Sequence, residues 1–440
     1  MLIKINSLLL LFIFVSCTHV NRTNEDSNNA AESNSPDVDF DEKVDASDYG
    51  FNFYFENSLS MDGYLVGADF QKAINRIYNN LPDSSLSSYF VNTREYSVDN
   101  LKDRINAKNL ESGDRRNSDH VFIFRNAIKS TQDASLSVVV TDGIYSVKGA
   151  NLNLVSIEIE KAFQDALEIS ETETVVIKMT SEFVGNYFTS TCTNGKPEQA
   201  KVINQNRPYY ILLFGNSFSI NNFLEENLND LKDVGFVNIA RFSLNKNIEV
   251  PYTILTRGEE KVGEFESPNF QRLTHQIKNI KKAKISRFDN SKTNNTFLQF
   301  AVPVDFSKTN LPNSYITNLN NYTLSKELGY KIEAILEKDD ILKDSKTDEE
   351  LQTISEKNNI QFSHLIIVKG STNLIGKLDI RLNNYMPLWI EETGSQEDCN
   401  ITGETTTTFA FSELMNGIFK AYKKVNKREE IVTLNIEIKN

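Results

Sequence analysis

Between residues 51 and 245, continuous apolar runs alternate with segments whose apolar residues recur at helical spacing. The apolar runs are FNFYF at 51–55, SLSVVV at 135–140, TVVIKM at 174–179 and PYYILLFG at 208–215. The clearest helical stripe is formed by Phe70, Ala73, Ile74, Ile77 and Leu81. Unalternated strands separated by amphipathic helices are typical of a parallel sheet that is covered on both faces. We therefore predict a doubly wound, mostly parallel α/β domain over residues 50–245.

After about residue 245, the pattern changes to an alternation of apolar and polar positions. This alternation occurs near residues 300–306, 330–334, 378–382 and 434–438. Strands with one solvent-exposed face are typical of an antiparallel sheet or sandwich. Pro303 lies within one of these runs and predicts that its strand is at the edge of a sheet. One amphipathic helix interrupts them, with an apolar face made of Phe411, Leu414, Met415, Ile418, Phe419 and Tyr422. We predict a β-rich, sandwich-like domain with at least one helix over residues 250–440.

The N-terminus has the pattern of a targeting segment. Lys4 precedes an apolar run, Leu8–Val15, that is too short to span a bilayer, so residues 1–17 predict a signal peptide. Cys17 and the residues before it resemble the lipobox of bacterial lipoproteins, although Phe14 stands where leucine is commoner. That resemblance implies that Cys17 carries fatty-acyl chains such as palmitate and becomes the new N-terminus. The alternative is an ordinary signal peptide with an incidental cysteine.

Residues 18–49 predict a disordered tether. They are dominated by Asn, Ser, Asp and Glu and hold few large apolar side chains. Such a segment cannot bury enough surface to offset its chain entropy. Behind a lipidated cysteine, it would hold the folded part clear of the membrane. We therefore predict a lipid-anchored protein of the bacterial cell envelope, at the outer membrane or the cell surface.

The net charge narrows the classes of partner that the protein can bind. The net charge of −13 argues against nucleic acid, because phosphate binding needs an excess of Lys and Arg along a groove.

Besides Cys17, the chain has two cysteines, Cys192 and Cys399. An oxidising compartment could join them in a disulfide, and otherwise they are inert thiols.

Polar residues follow two of the predicted strands at their carboxyl ends. Glu56, Ser58 and Ser60 come directly after the first strand, and Asp142 comes directly after the run that ends in VVVT. An open α/β sheet has its ligand sites at these strand ends. Two carboxylates and two hydroxyls are hard oxygen donors, which Mg²⁺ and Mn²⁺ prefer. The sequence therefore predicts that these four residues share a divalent cation.

Residues 50–245 resemble the von Willebrand factor A domain. That family has a metal-ion-dependent adhesion site, made of Asp-x-Ser-x-Ser after the first strand, a threonine in a middle loop, and a strand-end Asp-Gly. Here Ser58 and Ser60 match the two serines, while Asp142 and Gly143 match the Asp-Gly. The resemblance implies a metal-dependent adhesion module in which a carboxylate of the partner fills the open coordination position.

Two positions of this motif depart from the family pattern. Glu56 stands where the family has aspartate, and the extra methylene extends the carboxylate by about 1.5 Å. The longer side chain would either replace a metal-bound water or displace the ion. No threonine matches the middle loop, and Ser118 is the candidate for that hydroxyl, with the cap of a following helix as the alternative.

The function predicted from the sequence is non-catalytic recognition of a protein partner by an envelope lipoprotein. One alternative is a hydrolase, because GNSFS at 215–219 is close to the G-x-S-x-G nucleophile elbow. Ser217 would then need His275 or His364 as its base, and Ser219 occupies the place of the second glycine. A further alternative is a structural scaffold whose metal motif no longer binds an ion.

Overall fold

The structure, a computed structural model, describes most of the chain from residue 50 onwards. The described part is residues 50–440 without 83–84, 132–135, 148–150, 190–198, 245–247, 282–296, 344, 372–374, 398 and 400–405. The predicted signal peptide with Cys17, the predicted tether and Cys192 lie outside the described residues. Cys399 takes part in a disulfide bond, so the alternative that it is an inert thiol is wrong. None of the helices in the described part is both long and apolar enough to cross a membrane.

The first half of the chain builds one mixed sheet. Its strands are β1 (Phe51–Glu56), β2 (Leu86–Val91), β3 (Glu95–Ser97), β4 (Leu136–Thr141), β5 (Glu173–Phe188), β6 (Gln199–Gly215) and β7 (Phe236–Phe242), in the order β3-β2-β1-β4-β6-β5-β7. β1 pairs in parallel with both β2 and β4. Among the described strands of this sheet, β1, β2, β4 and β5 share one direction and β3, β6 and β7 run the other way. The predicted α/β class is confirmed.

The direction of one predicted inner strand differs from the prediction. TVVIKM and PYYILLFG lie in β5 and β6, which pair as consecutive antiparallel strands over a register from Glu173↔Gly215 to Phe188↔Gln199. β6 is also antiparallel to β4. An unalternated apolar run shows that a strand is buried on both faces, and this burial is the same for either strand direction. The pattern therefore predicted the strands correctly, but the parallel direction that it led us to expect is wrong for β6.

Helices cover both faces of this sheet, as the periodicity predicts. They are α1 (Ala68–Asn80), α2 (Leu101–Asn106), α3 (His120–Ser130), α4 (Leu152–Leu167) and α5 (Ser217–Lys232), with a 3₁₀ segment at Leu59–Val66. In α1 the predicted stripe is buried from Phe70 to Ile77, and the helix ends just before Pro82. α1 and α4 are the first α-helices after β1 and β4, whose carboxyl ends lie at the edge where ligand sites are expected. α3 follows α2, and its first residue, His120, lies beside Glu56 and Asp142 at that edge.

The second half of the chain builds a β-rich part with two further sheets. Its strands are β8 (Glu264–Glu266), β9 (Gln276–Lys281), β10 (Phe297–Val304), β11 (Tyr322–Leu324), β12 (Lys331–Glu337), β13 (His364–Ser371), β14 (Gly376–Asn383), β15 (Gly394–Ser395), β16 (Thr408–Phe409) and β17 (Glu430–Ile438). The sheets are β10-β13-β12 and β11-β14-β17-β9-β8, with β15 and β16 as a small separate pair. Side chains of both sheets share one apolar core, for example Phe300 with Ile380 and Ile436. Pro303 lies in the edge strand β10, as predicted.

One helix of the second half packs against the first sheet. The helices here are α6 (Asn313–Ile316), α7 (Lys346–Asn358), α8 (Leu388–Thr393) and α9 (Phe411–Asn426). In α9, the Phe411 ring stacks on Tyr210 of β6 with centroids 4.0 Å apart, and the Tyr422 hydroxyl donates to the Thr172 carbonyl at 2.8 Å. A Cβ on Gly417 would come within 2.6 Å of a backbone oxygen of α4, so the two helices touch closely. The packing therefore joins residues on both sides of the boundary predicted at 245–250, and the described residues from 50 onwards belong to one compact unit.

Candidate metal centre

The carboxyl ends of β1 and β4 meet at one polar cluster. β1 ends at Glu56, β4 ends at Thr141, and Asp142 follows. Since the two strands are parallel neighbours, with Phe55 opposite Val140, their ends lie side by side. Ligand oxygens of Glu56 and Asp142 lie within 4.8 Å of each other. The structure thus brings together the two carboxylates that the sequence predicts to share a site.

The third member of the cluster is His120, which the sequence interpretation missed. It is the first residue of α3, and Asp119 caps that helix by accepting a hydrogen bond from the Phe122 amide at 3.2 Å. One ligand atom each from Glu56, His120 and Asp142 lie within 4.8 Å of one another, and all three residues are at most 1% exposed. The signal in the sequence was a histidine directly before the apolar run VFIF.

Thr141 orients the His120 imidazole. The Thr141 hydroxyl donates to Glu56 Oε2, and it also lies 2.8 Å from His120 Nε2. Since the single hydroxyl hydrogen goes to Glu56, His120 Nε2 must carry a proton and donate it to Thr141. The Gly143 amide donates to the same hydroxyl at 2.8 Å. Nε2 lies 3.6 Å from Glu56 Oε2, which is within ion-pair range but longer than a good hydrogen bond.

Three buried polar atoms around this cluster have no hydrogen-bond partner among the described residues. They are Glu56 Oε1, His120 Nδ1 and Ser118 Oγ. A buried polar atom without a partner costs about 1–3 kcal/mol, so three of them in neighbouring residues call for an explanation. A carboxylate oxygen, an imidazole nitrogen and a hydroxyl are all donors that a divalent cation accepts. The cluster fits a metal site on this observation.

The two motif serines connect to Asp142. The Ser60 hydroxyl donates to Asp142 Oδ2, and Ser58 Oγ lies 3.0 Å from Ser60 Oγ. Asp142 Oδ1 accepts from the Ile144 amide at 2.9 Å. The predicted group of Glu56, Ser58, Ser60 and Asp142 is therefore continuous in space, with Ser58 reaching the carboxylate through Ser60.

Ser118 lies next to the cluster without capping a helix. Its backbone pairs with Ser146 through bonds of 3.3 and 3.2 Å, and its side chain is fully buried. The cap of α3 is Asp119, so the capping alternative for Ser118 is wrong. Ser118 also helps to lower the pKa of Glu56, although its hydroxyl has no hydrogen-bond partner among the described residues.

The two carboxyl groups have different electrostatic surroundings. Burial alone would raise the pKa of Glu56, but the neighbouring His120, followed by Thr141 and Ser118, more than offsets it and holds the pKa below its usual value. Burial, followed by the negative charge of Glu56, raises the pKa of Asp142 to about 7. Without a cation, Glu56 is therefore ionised near neutral pH while Asp142 is partly protonated. A bound cation would allow both carboxylates to be charged.

Arg115 holds the loop that carries the serines. Its buried guanidinium donates to the carbonyl of Asn57 at 2.7 Å and to that of Ser58 at 3.2 Å, and it also pairs with Asp62. The Asn57 side chain in turn donates to the Leu110 carbonyl at 2.9 Å. The sequence interpretation did not single out Arg115, because its role depends on contacts more than fifty residues apart. These bonds position the loop whether or not an ion is bound.

The cluster is closed in this conformation. Exposed fractions are 0% for Glu56 and His120, 1% for Asp142 and 4% for Ser58, while Ser60 is partly exposed. Gly143 has a φ of +72° and lies against Tyr210 and Phe411, which would contact any Cβ at this position. The helix α9 thus contributes to the wall that encloses Asp142.

Ser217, the nucleophile of the hydrolase alternative, has other partners. Its hydroxyl donates to Glu173 at 2.9 Å and accepts from Arg241 at 3.1 Å and from Asn310 at 3.2 Å. Neither candidate base is among them: His275 pairs with the Tyr252 carbonyl, and His364 pairs with its neighbour Ser363. Within the described residues, Ser217 therefore belongs to a polar network without a histidine base.

Comparisons with protein-family models, with curated proteins and with solved structures found no match for this chain. The resemblance to the von Willebrand factor A domain accordingly stays a prediction that depends on the residues quoted above.

Proposed function

We propose that this protein is a non-enzymatic binding protein of the bacterial cell envelope, and that one divalent cation supports its recognition surface. The observation that carries the metal part is the group of unpartnered buried atoms on Glu56, His120 and Ser118 beside Asp142. A bound cation would offset the repulsion between the two buried carboxylates. It would tie the loop after β1 to the loop after β4 and to the start of α3.

Burial of the cluster favours an internal, supporting role for the ion. A carboxylate from a protein partner, as the family resemblance implies, would have to pass residues that are at most 4% exposed. For direct contact between a partner and the ion, either the 3₁₀ segment Leu59–Val66 or α9, which packs against Gly143, would have to move. The partner's contact is therefore better assigned to the loop surface around the partly exposed Ser60 and the exposed Asp62. The ion would hold that surface in shape.

Titrating the full chain with Mn²⁺ should produce a calorimetric binding signal in the wild type and none in Asp142→Ala. Without Asp142 the remaining donors supply a single carboxylate, which is too little charge to offset dehydration of the ion. At about 100 times Kd, Mn²⁺ should stabilise the wild type by about 2.7 kcal/mol in chemical denaturation.

Asp305→Ala is the matched control for this titration. Asp305 is also a buried carboxyl residue, and its side chain accepts a backbone hydrogen bond from Ser307 at 3.0 Å, outside the cluster. This variant should keep the full Mn²⁺ response. If the wild type shows no response and Asp142→Ala is more stable than the wild type, the motif is a relic and the scaffold alternative is favoured.

The envelope location is part of the same proposal, and it depends on Cys17. Cys17→Ser should release the protein from membrane fractions and abolish its labelling by a fatty-acid analogue, because a thioether-linked lipid needs the cysteine sulfur. Cys399→Ser is the control, since this cysteine lies in the folded part and should not affect labelling. A wild type that takes up no label and fractionates as Cys17→Ser does would refute the lipid anchor.

A further inference from the structure

We infer that the cation of this site is of the zinc class, with His120 as a ligand, in preference to the Mg²⁺ that the carboxylates alone would suggest. The inference rests on the proposed function for the presence of a cation, and it goes further by naming the kind of ion. It depends on the third donor, which is an imidazole nitrogen. No part of the adhesion-site motif in the sequence includes this histidine.

The donor set decides between the two classes of ion. Mg²⁺ and Ca²⁺ take oxygen ligands and dehydrate reluctantly, whereas zinc is bound by combinations of imidazole nitrogen and carboxylate oxygen. Glu56, His120 and Asp142 offer one nitrogen and two carboxylates within 4.8 Å of one another. A site with two carboxylates and one imidazole suits a cation of borderline softness, such as Zn²⁺, better than a hard cation, such as Mg²⁺. Zinc is therefore the better match.

The hydrogen bonds of His120 leave its imidazole able to bind a cation. Nε2 is the ring nitrogen that lies 3.6 Å from Glu56 Oε2, and it donates to Thr141. Nδ1 has no hydrogen-bond partner among the described residues. In a neutral imidazole either ring nitrogen can carry the proton, and the other one then carries the free lone pair. A cation shared with the carboxylates would therefore take one ring nitrogen and leave the proton on the other.

The experiment compares Zn²⁺ and Mg²⁺ binding to the full chain, prepared without a polyhistidine tag, in the wild type and in His120→Asn. The asparagine keeps a donor for Thr141 but has no imidazole. Zn²⁺ affinity should fall by more than about 100-fold, since loss of a ligand should exceed the 10–100-fold cost of losing an outer-shell partner. Mg²⁺ affinity should change much less. Co²⁺, used as a coloured substitute for zinc, should give visible absorption bands that are lost in His120→Asn.

His364→Asn is the matched control, because His364 is also buried and also has one ring nitrogen without a partner in the described structure. It should leave Zn²⁺ affinity unchanged, and Asp142→Ala should abolish Zn²⁺ binding. Equal Zn²⁺ affinity in His120→Asn and wild type overturns the inference, as does tighter binding of Mg²⁺ than of Zn²⁺, and in both cases the proposed function still stands. If no divalent ion binds the wild type, both fail. If His120→Asn does not fold, the wild type decides: displacement of bound Co²⁺ by equimolar Mg²⁺ overturns the inference.

Discussion

A fragment of residues 50–245, expressed alone, should not fold cooperatively, although its α/β pattern is complete in the sequence. The fragment lacks α9, whose apolar face lies in the core of the first sheet. The buried side chains that it would lose are those of Phe411, Leu414, Met415, Ile418, Ala421 and Tyr422. Burial of each large apolar side chain contributes about 1.5–3 kcal/mol. Their sum is comparable to the whole net stability of a typical domain, about 5–15 kcal/mol.

Chemical denaturation and limited proteolysis of the fragment and the full chain test this prediction. Within the full chain, Phe411→Ala should reduce the free energy of unfolding by about 3–5 kcal/mol, because the ring is fully buried and stacks on Tyr210. Lys420→Ala, on the exposed side of the same helix, should change it by less than about 0.5 kcal/mol. A fragment that unfolds in one sharp transition with the stability of the full chain would show that α9 is dispensable.

Arg241→Ala should lower the free energy of unfolding by about 3–5 kcal/mol, since it leaves the Glu173 carboxylate buried without its cation. The two side chains are only 5% and 13% exposed, and Arg241 Nε donates to Glu173 at 2.7 Å. The same guanidinium donates to Asn221 at 2.7 Å and to Ser217, so one substitution breaks several bonds. Truncation of a buried pair costs far more than the pair itself contributes, because the remaining charge cannot be solvated.

A double-substitution cycle identifies the origin of this loss. Glu173→Gln combined with Arg241→Ala should be less destabilised than the sum of the two single variants, because the uncompensated charge is removed. Arg76→Ala is the control, since Arg76 pairs with Asp230 at 3.3 Å on the surface, where side chains are 40% and 50% exposed. It should cost at most about 1 kcal/mol. Additive losses in the cycle would contradict a coupled buried pair.

These two predictions also bear on the candidate metal centre. Phe411, the first residue of α9, packs against Gly143 next to Asp142, so the helix that completes the core also closes the cluster. Loss of α9 should therefore open the site as well as destabilise the sheet. The connection between core and site joins residues that are more than 260 positions apart, and no local pattern in the chain reports it.

The sequence by itself determined the elements of the fold and the position of the two carboxylates of the cluster. Apolar runs and helical stripes report which side of each element is buried, and this is a local property of the chain. The prediction that Glu56 and Asp142 meet needed only the further rule that parallel strands end at the same edge of a sheet. Their strands, β1 and β4, are parallel neighbours, so the rule applied.

Only the tertiary structure decided the direction of β6, the placement of α9 and the presence of His120 in the cluster. A doubly buried strand is equally apolar in either direction, and an amphipathic helix packs as well on one sheet as on another. In the sequence, His120 is one of several polar residues beside the apolar run VFIF. Its role depends on Thr141, 21 positions after it, and on Glu56, 64 positions before it. Such choices depend on contacts between distant segments, whose energies are realised only when the whole chain has folded.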